Sequence, residues 1–344
     1  MRRIFITGAS GCVGHYVLRQ LLHQAPAKVL TAGLISQPNQ FLPDPPEAFA
    51  TLEPPYHVIA LVRDPARLRW TAQDTEKMTA QGSQLTVLTG DMTQIDAHRE
   101  WLSETEGLIH LAAGWSDDAT ATTINLTQTL RLFELLDPGH CRKILYFSTA
   151  SLLDRHHHPL EVAGRAGTAY IRSKYEMLMR RSEIKLVDRL ITLYPTLLFG
   201  GSGSAPYSHI TTGIPDVMAW IPLARFLKLE ASFHFIHAAD IAQMVACLLQ
   251  QPILTGDWVL GNPVLTYEES MRQICGYLKK RIYFRIPVPV KLLRKLAPVW
   301  RIQLSEWDDH CIKNPHFVYN AINPEYFGIP AHYPSLVSLL RDYA

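Results

Sequence analysis

The sequence lacks any C-x-x-C pair. Its five cysteines (Cys12, Cys141, Cys247, Cys275, Cys311) are scattered along 344 residues, which argues against both a zinc site and a disulfide framework. Unpaired cysteines suit a reducing compartment, so a cytoplasmic location is expected. No apolar run approaches the roughly 18 residues of a membrane span. The opening "RRIFITGAS" reads as a structural strand and turn, so no secretory leader is expected. An excess of one charge sign is missing too: the net charge is +2, which gives no electrostatic footprint for nucleic acid, and none is expected as a partner. Internal repeats and low-complexity tracts are absent. What remains, 47% hydrophobic and 19% charged, is the composition of a globular enzyme with room for two lobes.

Apolar runs of strand length recur along the chain at Ile4–Thr7, 58–62, 85–90, 107–113, 143–149 and 190–195. Segments with helical spacing alternate with them, at "HYVLRQLL", 94–104, 123–136 and 169–182. Such alternation predicts a parallel, doubly wound α/β sheet. A proline-rich stretch over 25–56 separates the first helix from the second strand and reads as an inserted surface loop. Beyond residue 200 the pattern loosens, apart from one more strand-to-helix unit at 235–250. Residues 1–199 and 234–252 are therefore expected to form a cofactor domain, and 200–233 with 253–344 a smaller lobe that walls a pocket.

"TGASGCVG" places Gly8, Gly11 and Gly14 three apart between the first strand and the first helix. Gly8 allows the tight turn, Gly11 lets backbone N–H groups approach a pyrophosphate, and Gly14 lets the helix pack close to the sheet. Dinucleotide binding is the reading these positions favour. At the end of the second strand, where an acid would bond the adenosine ribose, the chain has "LVRDP". Val62 takes the acid's place and Arg63 follows, whose guanidinium suits a 2′-phosphate. Asp64 is the competing reading. NADP(H) is favoured over NAD(H).

"GTAYIRSKYE" holds Tyr170 and, four residues later, Lys174. On a helix these share a face. An adjacent ammonium favours the phenolate, so Tyr170 is expected to titrate below the usual tyrosine range and to act as proton donor or acceptor during hydride transfer. Tyr175 has only Met179 four residues on, which supports packing. "YFSTAS" supplies Ser148, Thr149 and Ser151 at a strand end as hydroxyl partners.

Together these segments resemble the short-chain dehydrogenase/reductase superfamily, in its extended branch. The chain is similar to NAD(P)-dependent epimerases/dehydratases and to 3β-hydroxysteroid dehydrogenase and dihydroflavonol reductase relatives. The resemblance covers essentially the whole chain and implies a Rossmann-type sheet with a smaller C-terminal substrate-binding lobe. It implies cofactor contacts from Gly8, Ser10, Gly11, Cys12, Val13 and Gly14 in the loop, Asp91 and Met92 in "GDM", and Leu111, Ala112 and Ala113 in "HLAAG". Lys174 and Pro195 of "YPTLLFG" are implied at the nicotinamide end. Tyr170 and Lys174 are the implied catalytic pair, Asn125 the helix asparagine that steadies the site, and Thr149 the hydroxyl partner with Ser148 second. Where many relatives have arginine before the proline, this chain has Tyr194, a difference that bears on substrate. Relatives often dimerise through the helices carrying the Asn125 and Tyr170 motifs, so a homodimer is possible.

His156, His157 and His158 are adjacent and point alternately in an extended segment, so a solvated loop is expected and no metal. Cys12 is read as packing. The segment 287–304 mixes Lys291, Arg294, Lys295 and Arg301 with leucines and Trp300; it reads first as a pocket-covering helix, with peripheral membrane contact as the alternative. The pocket segment 204–237 is aromatic and aliphatic, with Arg225 and Lys228 as cations, whereas a sugar diphosphate calls for more cations. The sequence therefore favours an NADP(H)-dependent oxidoreductase acting on a carbonyl or hydroxyl of a small, rather apolar substrate. A nucleotide-sugar epimerase or dehydratase with retained NAD is the alternative, and a non-catalytic NADP(H)-binding assembly or regulatory factor the second.

Overall fold

The computed structural model describes residues 1–23, 55–251, 255–288 and 305–343. The 25–56 insertion therefore lies outside the described residues except at its last two positions, and 287–304 except at its first two.

Eight parallel strands form one sheet. In chain order they are β1 (Arg2–Thr7), β2 (Tyr56–Val62), β3 (Gln84–Thr89), β4 (Gly107–His110), β5 (Lys143–Phe147), β6 (Leu190–Pro195), β7 (Gly256–Leu260) and β8 (Ala321–Ile322). Their spatial order is β8-β7-β6-β5-β4-β1-β2-β3, which places β1 beside β4 and leaves a crevice at the carboxyl ends of those two strands. β4, β5 and β6 are buried along their whole length, as expected of strands covered on both faces, and this is why they read as continuous apolar runs. Ile4 and Ile6 join a core with Val17, Leu21 and Val245 on one side of the sheet. Phe5 faces the other way, onto Leu108, Leu132 and Met177. Helices Cys12–His23 and Ala238–Gln250 pack together on the first face.

The expected lobe boundary is corrected in two places. Gly256–Leu260 and Ala321–Ile322, assigned to the smaller lobe, extend the main sheet instead, beside β6. "FIH" (Phe235–His237) pairs with Leu197–Phe199, a segment assigned to the same domain, in a separate two-stranded sheet. A two-residue strand carries too short a pattern to show in sequence, and Asp257 interrupts the apolar run of β7. A separate hydrophobic core lies outside the main sheet, where Ile221, Phe235, Met271 and Ile274 meet Leu336 and Leu339. Asp240, buried at the start of helix Ala238–Gln250, ties down the segment before the last helix by accepting hydrogen bonds from the backbone N–H of His332 at 2.6 Å and Tyr333 at 3.2 Å.

Candidate active site

The glycine loop is shaped by backbone contact. Gly8 has φ +73°, open to glycine at little cost, and a Cβ there would stand 2.7 Å from the Ala112 nitrogen. A Cβ on Gly14 would meet the Gly8 carbonyl oxygen at 2.2 Å and the Ala9 Cα at 2.7 Å. Gly11 donates its N–H to the Gly8 carbonyl at 3.0 Å, and helix Cys12–His23 starts at once. The loop is therefore a cradle of bare backbone at a helix N-terminus, and it fits a pyrophosphate. Val13 is buried in the core. The Cys12 Sγ rests on Gly200, whose Cβ would approach it to 2.5 Å. Burial pushes the Cys12 thiol up to about 12, the state of a packing thiol and not a reactive one.

At the end of β2, Arg63 is exposed and makes no ion pair among the described residues, while Val62 is buried. The neighbouring Asp64 caps the turn Pro65–Leu68, accepting from the Ala66 N–H at 3.0 Å. Asp91 likewise caps Met92–His98 and accepts from the Thr93 N–H at 2.7 Å. The Met92 side chain lies in the core with Leu61 and Ile95, which leaves only its backbone to face a cofactor.

A chain of hydrogen bonds missed at the sequence level braces the crevice. The Thr129 hydroxyl donates to the Ile124 carbonyl at 2.9 Å, so it accepts from His110 Nε2–H at 2.8 Å. His110 Nδ1 then accepts from the Thr7 hydroxyl at 2.6 Å, and Thr7 Oγ1 accepts the Ala112 N–H at 3.3 Å. This pattern fixes the neutral Nε2–H tautomer. Burial, then the Lys174 charge, hold His110 well below the usual histidine range. The histidine stood in the quoted "HLAAG" segment; its partners, 103 and 19 residues away, left no local signal.

Asn125 sits in a π-helical turn, Thr123–Thr127, an irregularity frequent at functional sites. Its Oδ1 accepts the Gly114 N–H, and its Nδ2 donates to the Gly114 carbonyl and to the Ser173 hydroxyl, each at 2.9 Å. Ser173 in turn donates to the Tyr170 carbonyl at 2.9 Å. Asn125 thus joins the strand-four segment to helix Ala169–Met179.

Tyr170 and Lys174 lie on that helix, which Thr168 caps. Lys174 is fully buried. Its ammonium donates to the Phe147 carbonyl at 2.8 Å and stands 4.6 Å from the Tyr146 ring centroid and 5.9 Å from that of Tyr170. Burial lowers it to about 7. The expected depression of the tyrosine is not found: burial raises the Tyr170 phenol above its ordinary value. With the ammonium aimed at a carbonyl, desolvation of the phenolate outweighs its attraction.

Trp115 lies directly over Tyr170, their rings stacked at 3.7 Å and 12°, and it also packs on His209 at 5.3 Å. The indole is 55% exposed, so the tyrosine ring is covered by one half-exposed aromatic plate. Of the hydroxyl candidates, Thr149 is half-buried and donates to the Ser151 hydroxyl at 3.3 Å. The Ser148 hydroxyl is sealed from solvent without a partner. Leu111, Ala112 and Ala113 line the crevice edge half-buried, Ser10 is partly exposed, and Pro195 closes β6. Tyr194 is fully buried, 3.5 Å from Asp257, so its bearing on substrate is not through direct contact. The histidine run forms a turn: His156 and His158 both donate backbone N–H groups to Asp154 at 2.8 Å, and His157 accepts from Asn320 N–H at 3.1 Å.

A family model described as NAD dependent epimerase/dehydratase matches residues 4–261. The chain belongs to that family. Its members are nicotinamide-dependent enzymes, which sets this chain among enzymes as well. No curated protein matches the sequence significantly. Among solved structures, dTDP-glucose 4,6-dehydratase of Streptomyces venezuelae, with NAD and TYD bound, superposes with TM-score 0.60 at 16% identity, over 99% of this chain and 95% of its own. Vestitone reductase from alfalfa gives TM-score 0.60 at 16% identity, over 100% and 97%. The UDP-N-acetylglucosamine 4-epimerase of Methanobrevibacter ruminantium gives 0.59 at 14%, over 99% and 96%. At these identities the likeness carries the fold, that of extended short-chain dehydrogenases/reductases.

Proposed function

We propose that this family member is an NADP(H)-dependent reductase, or the reverse dehydrogenase, acting on the carbonyl or alcohol of a small, rather apolar substrate. The observation that carries the reading is the Tyr170 ring stacked under the Trp115 indole, one helical turn from Lys174. The bound nicotinamide would supply or accept the hydride. Tyr170 then gives its phenolic proton to the carbonyl oxygen in reduction and takes it back in oxidation. Lys174 lies buried beneath the site and is the residue to bond the nicotinamide ribose. Thr149, with Ser151 beside it, orients the substrate oxygen. Arg63 supports NADP(H): it is a free guanidinium at the ribose end, and the competing carboxylate of Asp64 is engaged as a cap. Residues 200–233 and the later lobe are proposed to take the substrate.

Replacing Tyr170 by Phe tests this. Turnover of carbonyl substrates should fall by about 10²- to 10⁴-fold while NADPH affinity stays unchanged. Full turnover in the variant would remove Tyr170 from the mechanism. An epimerase or dehydratase reading is favoured by the family's own description, and it requires NAD held through the whole cycle. A second copy is proposed to dock on the outer face of helix Ala169–Met179, where Asp118, Arg165, Arg172, Glu176 and Met179 line a groove of about 460 Å³. Light scattering would read this as a dimer.

A further inference from the structure

Helix Ile214–Ala224 carries one charge, Asp216, and buries one side chain, Ile221. A helix apolar all round belongs in a core or against lipid, yet this one lies on the surface, with Val217 57%, Trp220 66% and Leu223 57% exposed. A second segment continues the patch. Ile286–Pro287 pairs with Leu227–Lys228 just past the helix, Ile286 donates its N–H to the Phe226 carbonyl at 2.7 Å, and the Phe226 and Phe284 rings stack at 4.7 Å. Tyr283, Phe284 and Ile286 are 73%, 55% and 52% exposed. Arg225 joins the two segments by donating to the Arg281 carbonyl at 2.9 Å.

Cations border the patch. Arg225, Lys228, Lys279, Lys280, Arg281 and Arg285 lie on these two segments against the acids Asp216 and Glu230. None of the six forms an ion pair among the described residues. Large exposed aromatic and aliphatic side chains beside unpaired cations match the headgroup boundary of an anionic bilayer, where apolar groups enter and cations meet lipid phosphates. A second copy fits poorly, since a two-fold contact sets the same patch against itself and would oppose six cations to six.

We propose that this face, built from residues 214–228 and 279–288, docks the protein on the surface of a membrane containing anionic phospholipid. No helix among the described residues is long and apolar enough to cross a membrane, so the contact is peripheral. The short helix before this face reaches the cleft, where His209 packs on Trp115. The docking itself does not depend on which reaction the cleft runs.

Co-sedimentation of the full-length protein with extruded vesicles tests it. The protein should pellet with phosphatidylcholine vesicles containing 30 mol% phosphatidylglycerol, about tenfold or more better than with phosphatidylcholine alone. Raising the salt should release part of it. The double variant Trp220→Ser/Leu223→Ser should lose about tenfold or more of this binding while keeping the wild-type melting temperature and NADPH affinity. Failure to pellet with anionic vesicles, equal binding to both vesicle types, or undiminished binding of the double variant would overturn the proposal. So would a wild-type dimer that the double variant turns into a monomer, since the face would then belong to a second copy. Because no arm reads turnover, inactivity toward carbonyls would count against the reductase reading alone.

Discussion

At the scale of single residues, the site sets the buried Lys174 one helical turn from the partly buried Tyr170. The Lys174 ammonium is held by one carbonyl and two ring faces, yet burial outweighs these contacts and lowers its pKa to about 7. Thr149 and Ser148 can be told apart by experiment. Thr149→Ala should lower kcat about tenfold or more, because its hydroxyl is reachable. Ser148→Ala should leave kcat near the wild-type value, because that oxygen is sealed and its neighbours offer it no partner. The reverse pattern would move the substrate oxygen to Ser148. Trp115→Ala removes a stacked ring worth about 0.5–1.5 kcal/mol. Steady-state kinetics should show KM for apolar substrates rising roughly 2- to 10-fold with kcat little changed, as for a contact made equally in ground and transition states. A large loss in kcat with KM unchanged would instead make the indole part of the tyrosine's catalytic environment.

At the scale of elements, the glycine loop and the asparagine turn hold strand ends to helices. Gly14→Ala has no room to relax, because the atoms its Cβ would meet are backbone. A loss of about 1–3 kcal/mol of stability is expected, together with loss of NADPH binding; a denaturant titration and a binding isotherm would read both. Asn125→Ala strands the N–H and carbonyl of Gly114 in the interior, at about 1–3 kcal/mol for each group left unpaired. Its melting temperature should fall even with cofactor absent, and an unchanged value would show that Gly114 finds other partners. The sequence made these elements readable for a physical reason. Strands buried on both faces carry unbroken apolar runs, and a turn with φ +73° against backbone admits only glycine. Convergence from distant segments stayed hidden: nothing local in "AAGWSDD" says that Trp115 will lie on Tyr170, or that His110 will find Thr7 and Thr129. The two last strands escaped because one is two residues long and the other is broken by Asp257. The Tyr170–Lys174 spacing gave their placement on one helix but not the direction of the tyrosine's shift, which burial decides.

At the scale of the whole molecule, several histidines are neutral within the fold. Burial lowers His15 and His237 to about 4 and holds His110 well below its usual value. Between that range and the unfolded value of about 6.5 the unfolded chain binds more protons, so stability rises with pH there and falls as pH drops through 6.5 toward 4. Each such histidine contributes about 1.4 kcal/mol per pH unit inside its window. Lys174 acts in the same direction higher up, from about 7 to its unfolded value near 10.4. Melting temperatures should therefore decline steadily from pH 6.5 to 4.5, and a flat profile would mean that these imidazoles are protonated without penalty.

Equilibrium binding of NADPH and NADH to the purified protein tests the proposed exchangeable NADP(H) site most directly, preceded by mass spectrometry of whatever nucleotide the protein releases on denaturation. An empty protein that binds NADPH about tenfold or more tighter than NADH is expected, with the preference lost in Arg63→Ala, as one charged hydrogen bond of about 1.5–3 kcal/mol requires. Stoichiometric NAD in the released fraction, or equal affinity for the two nucleotides, would contradict it and place the chain with the family members that keep their cofactor through turnover.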